Sequence, residues 1–387
     1  MRERDPLRHI IGTCAAQIGA ITTPILSPLI IGGLIAGLDL GEVEAGSLIT
    51  AELLVIGVTS MLIAPLVARY PHHILAISGA LLLVVAQHFS SKVGDLSALY
   101  AWRILAGVAG GCLMATANAA IARASSPTLL YGLAWAASYS ATAAMAIGIT
   151  ANNEIVTFDI VYRWLTLCIA IAIPLMWFVP RHGATDSVKG MPAGTWLPGA
   201  LLMIGILLIG ISMMAYYAFL ERIAVNIDAT SAQTGQIIAA AQVAGIMGGL
   251  LAAPVANKLG VVKALVGTST LHALVIMVAI LTGSVLVLGV AAFIEAILFI
   301  IMTPLMFSVA AQIDTKGRWA AIAGGVFVLS TAFGPIIGGV IISYISYNAL
   351  AWLQPLATLP AIIFFLKVNQ SSTGGEKDGP GKTGSTA

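Results

Sequence analysis

Twelve long apolar runs constrain this chain more than any other feature of its sequence. They cover residues 10–38, 47–68, 74–91, 97–122, 129–151, 163–180, 197–220, 232–257, 264–282, 285–312, 319–345 and 350–367. A helix of about 20 apolar residues spans the hydrocarbon core of a bilayer, whereas barrel strands alternate polar and apolar residues over about ten positions. The runs are continuously apolar, so they predict an all-α membrane protein with twelve transmembrane helices.

The composition supports a membrane protein and argues against several other classes. Hydrophobic residues make up 59% of the chain and charged residues 9%, against roughly 45–50% and about 25% in soluble domains. The net charge of +2 is too small to suggest a nucleic-acid partner. Cys14, Cys112 and Cys168 lie inside apolar runs, so we expect packed thiols rather than disulfides. No His/Cys spacing fits zinc, so we expect no metal and no other cofactor.

Two similar segments indicate that the chain contains an internal repeat. Residues 64–71 (Ala-Pro-Leu-Val-Ala-Arg-Tyr-Pro) and 253–260 (Ala-Pro-Val-Ala-Asn-Lys-Leu-Gly) lie 189 positions apart, each after the second apolar run of its half. Paired repeats of spanning helices are typical of secondary transporters. We therefore expect an N-terminal six-helix bundle (1–180), a cytoplasmic linker (181–196), a C-terminal six-helix bundle (197–368) and a disordered cytoplasmic tail (369–387).

The distribution of Lys and Arg predicts the orientation in the membrane. An even number of spans puts both termini on one side, and that side carries 14 of the 18 basic residues. Because short cytoplasmic loops are enriched in Lys and Arg, both termini should be cytoplasmic. We expect a monomer in a bacterial inner membrane, in contact with lipid.

Short motifs resemble those of the major facilitator superfamily. The superfamily carries Gly-x-x-x-Asp-Arg-x-Gly-Arg after its second helix. Here Asn257, Lys258 and Gly260 stand at the Asp, Arg and Gly positions of the second-half copy. The first-half copy keeps Arg69 but has Ala68 in place of the acid. In the superfamily that acid helps to hold the two halves together on the cytoplasmic side.

Two further segments resemble the drug/metabolite–proton antiporter branch, the efflux permeases. Gly334-Pro335-x-x-Gly-Gly in helix 11 is similar to the antiporter motif that normally lies in helix 5. Asp314-x-x-Gly-Arg318 is similar to a loop of drug- and sugar-efflux members. The resemblance implies that these segments take part in gating.

The resemblance also implies a function. It indicates two six-helix bundles that move a small organic compound by alternating access, and the efflux motifs favour proton-coupled export. A proton-linked symporter or a uniporter for an organic anion held by Arg103 is the alternative within transport. A membrane enzyme or a non-transporting sensor is disfavoured. The chain has no nucleophile–base set, no Gly-x-x-x-x-Gly-Lys loop for ATP and no segment long enough for an output domain.

Three ionisable residues lie well inside the predicted spans, where each costs about 2.5–3.5 kcal/mol on insertion scales. They are Glu52, Arg103 and Glu295. Glu52 and Arg103 are five and six residues into helices that enter from the same side, so both lie about 8–9 Å deep. We expect them to interact, as a proton-responsive pair or as a static ion pair.

Glu295 lies near the midplane of helix 10 without an obvious basic partner in its half. A carboxyl group there is expected to be protonated when dry and to titrate when wet, which suits a proton carrier. A neutral acid bonded to a backbone carbonyl is the alternative. His272 lies in helix 9, an outer helix of the superfamily, so we expect it to serve packing.

The remaining polar and soft side chains at depth are predicted to contribute to substrate binding, with plain packing or helix contacts as the alternative for each. They are Gln17, Asn118, Tyr139, Tyr216, Gln242, Phe299 and Met302. Gly107 and Gly111 share a helix face with Arg103 and are expected to form a close helix seam. Glu221 and Arg222 end helix 7, where we expect them to be solvated.

Overall fold

The computed structural model describes residues 6–122, 124–125, 127–151, 153–180, 195–313 and 318–374, and these ranges contain helices and no strand. In lipid, a spanning segment must satisfy its backbone groups internally, and a helix does so. The helices are α1 (Leu7–Ile25), α2 (Ser27–Leu38), α3 (Glu42–Leu62), α4 (Ala64–Arg69), α5 (His72–Ser90), α6 (Leu96–Ala122), α7 (Pro127–Ala151), α8 (Phe158–Met176), α9 (Trp196–Ala218), α10 (Leu220–Val225), α11 (Ser231–Leu259), α12 (Val261–Leu281), α13 (Val285–Ile313), α14 (Arg318–Tyr344) and α15 (Ala349–Gly374).

These helices form the predicted set of spans. Ten helices in the described ranges are long and apolar enough to cross a bilayer, and α1 with α2, bent by 50° between them, makes an eleventh. Helix α11, 29 residues long, covers the remaining predicted run, 232–257. The short helices α4 and α10 continue α3 and α9 after a break. The predicted all-helical membrane fold is confirmed.

The break in the first span follows from its prolines. Pro28 has no N–H to donate to the carbonyl of Pro24, one turn earlier. The hydroxyl of Ser27 donates to that carbonyl at 2.8 Å instead. The backbone bends at Leu26, between α1 and α2.

The spans form two bundles, α1–α8 and α9–α15, that meet along two seams. Helix α3 packs against α14 and α7 packs against α11. The segment 181–194 between the bundles lies outside the described residues. At the other end, α15 runs to Gly374, six residues beyond the predicted end of the bundle, and 375–387 lie outside the described residues. Cys14, Cys112 and Cys168 are free thiols, as predicted.

The α3–α14 seam is tightest on the far side, which we define as the membrane side opposite the two termini. There Gly46 packs directly on the backbone carbonyl of Pro335, and Gly339 packs on the carbonyl of Glu42. A Cβ at either glycine would overlap these carbonyl groups. Glycine at both positions therefore lets the two bundles touch backbone to backbone.

The same seam loosens toward the terminal side, where α1 begins and α15 ends. A Cβ placed on Gly57 would lie 3.2 Å from the side chain of Val328, a tight approach, but one to a side chain rather than to a backbone carbonyl. One on Gly325, farther along, would meet only the end of the flexible Met61 side chain at 3.7 Å. The bundles are thus held together on the far side.

Candidate functional site: two buried polar centres and the contact between the bundles

The first polar centre lies in the N-terminal bundle, and the predicted contact between Glu52 and Arg103 is confirmed. Nη1 of Arg103 donates to Oε2 of Glu52 at 3.3 Å. Both side chains are almost completely buried, with 1% and 0% of the side-chain surface exposed. Burial of a lone charge is costly, so each group stabilises the charged form of the other.

Arg103 has further partners that the sequence analysis missed. Its Nη1 also donates to Oε1 of Gln87 at 3.1 Å, and its Nη2 donates to the carbonyl of Ala86 at 3.3 Å and to the hydroxyl of Ser90. The guanidinium lies 4.3 Å from the ring centre of Tyr162, within cation–π range. Both terminal nitrogens of Arg103 are therefore engaged inside the bundle.

A glycine seam brings α6 close enough to α3 for the Glu52–Arg103 contact. A Cβ placed on Gly107 would lie 2.8 Å from the backbone oxygen of Glu52, and one on Gly111 would lie 2.8 Å from that of Ile56. The predicted seam role of these two glycines is confirmed. Asn118, two turns farther along α6, has an exposed side chain near the terminal side.

The second polar centre lies in the C-terminal bundle and corrects two predictions. Nε2 of His272 lies 3.2 Å from Oε1 of Glu295, and their side chains are 3% and 5% exposed. The expectation that Glu295 lacks a basic partner is wrong, and so is the expectation that His272 only packs. Helices α12 and α13 form a hairpin. His272 lies nine residues before its turn and Glu295 lies ten residues into α13.

Two buried polar atoms on α9 and α15 have no hydrogen bond among the described residues. They are the hydroxyl of Tyr216 and Oε1 of Gln354. The amide nitrogen of Gln354 is used, since it donates to the carbonyl of Ser212 at 2.9 Å. Tyr216 lies within electrostatic range of Glu295. The C-terminal centre thus has unsatisfied hydrogen-bonding capacity.

The two centres occupy similar places in the two repeats. Arg103 lies seven residues after the start of α6, and Glu295 lies ten residues after the start of α13, the corresponding helix of the second bundle. The helix before each of these supplies a polar partner, Gln87 in one bundle and His272 in the other. Each bundle therefore has a buried charged residue on this helix and a polar partner on the preceding helix, although the two positions are not equivalent in the 189-residue repeat.

A hydrogen-bonded node joins the two bundles near the bend of the first span. The hydroxyl of Tyr217 on α9 donates to the carbonyl of Ile25 on α1 at 2.6 Å. The same hydroxyl accepts a hydrogen bond from Nε2 of Gln242 on α11 at 2.8 Å. Three helices from both bundles meet at this one oxygen.

Tyr139 reaches this region from α7. Its ring lies against Gly245 of α11, where a Cβ would be 3.0 Å from the ring, so the absence of a side chain makes room for it. Tyr139, Tyr216 and Tyr217 all lie within electrostatic range of Glu295. The structure therefore brings together four of the predicted site residues: Tyr139, Tyr216, Gln242 and Glu295.

The other predicted binding residues lie elsewhere. Gln17 is buried in α1, and its Oε1 has no partner among the described residues. Met302 is buried inside the C-terminal bundle, where its sulfur accepts a hydrogen bond from Ser269 at 3.1 Å. Phe299 stacks on Phe327 with ring centres 6.0 Å apart. The contacts of Met302 and Phe299 fit the packing role that the sequence also allowed.

The gating-motif residues fall into exposed and buried sets. Arg69, Asn257 and Lys258 are exposed at the terminal side. Gly260 ends α11 with φ of 81°, a conformation that favours glycine. Asp314 lies outside the described residues, as does the side chain of Arg318, although its backbone begins α14. Gly334 and Pro335 are buried on α14.

A second interbundle contact closes the far side. The carboxylate of Glu42, at the start of α3, accepts hydrogen bonds from the hydroxyls of Ser343 at 3.1 Å and Tyr347 at 3.3 Å. Burial, with Glu42 as the next cause, raises the pKa of Tyr347 to about 12. The Tyr347 hydroxyl therefore keeps its proton at neutral pH and remains a donor to Glu42.

Glu221 and Arg222 on α10 also belong to this closed side. Their side chains are only 9% and 16% exposed, so the expectation that they are solvated is wrong. Nη2 of Arg222 donates to Oε1 of Glu221 at 2.6 Å, and the Glu221 carboxylate packs on the backbone of Gly32. They are covered because α10 lies against α2 of the other bundle.

The described residues contain no group of three or more His, Cys, Asp or Glu side chains that could hold a metal ion.

Known structures share this architecture. A mutant of the nucleoside transporter NupG matches with a TM-score of 0.75 and 9% identity, over 93% of this chain and 99% of that one. A bacterial homologue of the human lysosomal transporter Spinster, inward-facing and occupied, matches with a TM-score of 0.67 and 12% identity, over 95% and 96% of the two chains.

Sequence comparison identifies the family. No curated protein matches the chain significantly in sequence. The family model described as Major Facilitator Superfamily matches residues 10–312 and 202–386, which together include most of the chain. With the two-bundle fold, this match places the chain in the Major Facilitator Superfamily.

Proposed function

We propose that this protein exports a small organic compound in exchange for protons, by alternating access of a site between its two bundles. Membership of the superfamily indicates a transporter rather than an enzyme. The observation that carries the proton-coupled part is the buried Glu295–His272 pair, which lies within electrostatic range of tyrosines at the bundle contact.

The chemistry of this pair suits a proton carrier. A carboxyl group in a dry site is cheapest when it is neutral or paired, and its ionised form becomes accessible when water enters. His272 is within hydrogen-bond distance of Glu295, so a proton can pass between the imidazole and the carboxyl group. Opening the site to each side in turn would let the pair take up a proton on one side and release it on the other.

The far-side closure supports alternating access. The bundles touch through Gly46 and Gly339 on the far side and separate toward the terminal side. Since 14 of 18 basic residues flank the terminal side, we assign that side to the cytoplasm. On this assignment the structure is inward-facing, in a bacterial inner membrane, and one chain supplies both bundles, so a monomer suffices.

We assign the Glu52–Arg103 pair a supporting part in coupling. Protonation of Glu52 would leave Arg103 with its hydrogen bonds to Gln87, Ser90 and Ala86 but without its counter-ion. The alternative, a symporter or uniporter for an organic anion held by Arg103, has less support because those bonds already occupy its guanidinium. Substrate contacts are assigned to Gln17, Tyr139, Tyr216 and Gln242. Phe299 and Met302 are assigned to packing inside the C-terminal bundle, and Asn118, exposed near the terminal side, is left outside the site.

The test is proton movement in proteoliposomes. A compound that stabilises the purified protein in a thermal-shift panel would be added to vesicles containing a pH-sensitive dye. Uridine would be included because NupG is described as a nucleoside transporter. We expect wild type to couple proton flux to substrate flux, and Glu295→Gln to exchange substrate without proton flux. Glu154→Gln, an exposed acid, is the matched control. Full pH-driven accumulation by Glu295→Gln would reject the proposal.

A further inference from the structure

The interbundle polar site, defined by Tyr139, Tyr217, Gln242 and Glu295, has no uncommitted positive charge nearby. Among the described residues, the buried or half-buried guanidinium groups are those of Arg103 and Arg222. Arg103 is engaged by Glu52 and three other groups, and Arg222 is paired with Glu221. No free guanidinium is therefore left to receive a carboxylate or phosphate at this site.

Glu295, the acid among the four residues that define the site, disfavours a negatively charged ligand. Glu295 lies within electrostatic range of Tyr139 and Tyr217, and its described partner, His272, is charged only when protonated. When Glu295 is ionised, a negative group placed among the tyrosines would be repelled by it and would also lose its hydration.

The tyrosine and glutamine side chains of the site can bind a ligand that carries a ring and hydrogen-bonding substituents. Tyrosine faces attract other rings and cations. The hydroxyl of Tyr139 makes no hydrogen bond with any described residue, so it is available to a ligand. The Tyr217–Gln242 hydrogen bond provides a second polar contact that a ligand can replace when the bundles separate.

We infer that the substrate of the interbundle site is an uncharged or cationic ring compound with hydrogen-bonding groups, and that compounds bearing a carboxylate or phosphate are rejected. This inference rests on the proposed function for the location of the substrate site. It adds the chemical class, which neither the family nor the fold specifies.

The first test measures the charge preference of the interbundle polar site and does not require the substrate to be known. Cys14, Cys112 and Cys168 are replaced by Ala, and Tyr139→Cys is introduced as the single thiol. Its reaction rate is measured with two methanethiosulfonates that differ in charge, the 2-aminoethyl cation and the 2-sulfonatoethyl anion. The same background carrying Asn118→Cys, an exposed position on α6, is the control and corrects for the intrinsic reactivity of the reagents.

We expect the cationic reagent to react at Tyr139→Cys about tenfold faster than the anionic one, relative to the ratio at Asn118→Cys. Adding Glu295→Gln should bring the ratio back toward that of the control, because the negative charge is gone. An anionic reagent that reacts equally fast or faster overturns the inference. So does a thiol at 139 that neither reagent reaches, because a substrate site must open to water.

The second test uses ligands matched in their rings. Tyramine (cation), tyrosol (neutral) and 4-hydroxyphenylacetate (anion) form one set, and uridine with uridine monophosphate forms another. Thermal stabilisation by neutral or cationic members, and not by the anions, supports the inference, whereas stabilisation confined to the anions contradicts it. If an anion is transported and Glu295→Gln abolishes its pH-driven accumulation, the proposed function stands and only the substrate class fails.

Discussion

At the scale of single residues, each charge buried in a span is held by a partner from a neighbouring helix. Arg103 has Glu52 and the polar groups of α5, and Glu295 has His272. The terminal nitrogens of Arg103 are all used, but its Nε and Oε1 of Glu52 have no hydrogen-bond partner among the described residues, and neither has the hydroxyl of Tyr216 near Glu295. Both centres therefore keep unsatisfied hydrogen-bonding capacity.

The sequence predicted one of these pairs and missed the other for a simple reason. Counting residues from a shared membrane face places Glu52 and Arg103 at equal depth. Counting from the α12–α13 turn would have placed His272 and Glu295 at equal depth too. His272 was assigned to packing from its helix alone, without this count. The orphan atoms of Tyr216 and Gln354 depend on side-chain orientation, which residue spacing does not determine.

Neutralising one partner of the N-terminal pair should destabilise the protein. Arg103→Gln leaves Glu52 as an uncompensated buried acid, and Glu52→Gln leaves Arg103 without its counter-ion. Removing one partner of a buried pair costs about 3–5 kcal/mol. We expect both variants to lower the melting temperature in detergent, and the double neutralisation to cost less than the sum. Arg163→Gln is the control, because its pair with Asp159 is 67% exposed on the Arg side. Wild-type stability and transport in both single variants would show that the pair is unimportant.

Replacing His272 should change the pH dependence of transport more than the fold. His272→Gln keeps a hydrogen-bond donor for Glu295 but removes the group that can carry the second charge. Without it, Glu295 loses the basic partner that lies 3.2 Å away, so we expect the pH profile of transport to change. The measurement is initial transport rate against pH in proteoliposomes, with exposed His88→Gln as the control. An unchanged profile in His272→Gln would remove His272 from the mechanism.

At the scale of elements, the segment 334–339 of α14 is a two-sided contact. Gly334 packs on α9 of its own bundle, where a Cβ would lie 2.8 Å from the backbone nitrogen of Ala215. Pro335 and Gly339 face α3 of the other bundle. The N–H of Ile336 donates to the hydroxyl of Thr50 on α3 at 3.2 Å, so the same turn also forms a hydrogen bond between the bundles. The motif could be recognised from the sequence, but its two contact faces could not.

A methyl group on the far-side seam should therefore weaken it. Gly339→Ala places its Cβ against the backbone carbonyl of Glu42, whereas Gly324→Ala, on the same helix, has no atom within 4 Å of its Cβ. Alanine is otherwise better than glycine inside a helix by about 0.5–1 kcal/mol. We expect Gly324→Ala to be neutral or stabilising, and Gly339→Ala to raise the reactivity of a far-side cysteine toward membrane-impermeant reagents. Equal reactivity in the two variants would show that the seam does not control closure.

At the scale of the whole molecule, the internal repeat predicted two bundles but not how they meet. The closed side depends on residues far apart in the sequence, such as Gly46 with Pro335 and Glu42 with Ser343 and Tyr347. Neither contact can be derived from hydropathy or from the repeat, because each depends on the fit between two bundles. The bend of the first span was predictable from its prolines, whereas its contact with Tyr217 was not.

We propose that protonation of the Glu295–His272 pair controls which side of the molecule is open. The most direct test is the measurement of spin-label distances in reconstituted protein at about pH 5 and about pH 8. Labels at Glu44 and Tyr344 report the far side, and labels at Asn118 and Gln312 report the terminal side; all four positions are exposed. We predict that the two distances change in opposite directions with pH in wild type, and that neither responds in Glu295→Gln. An unaltered pH response in Glu295→Gln would contradict the account.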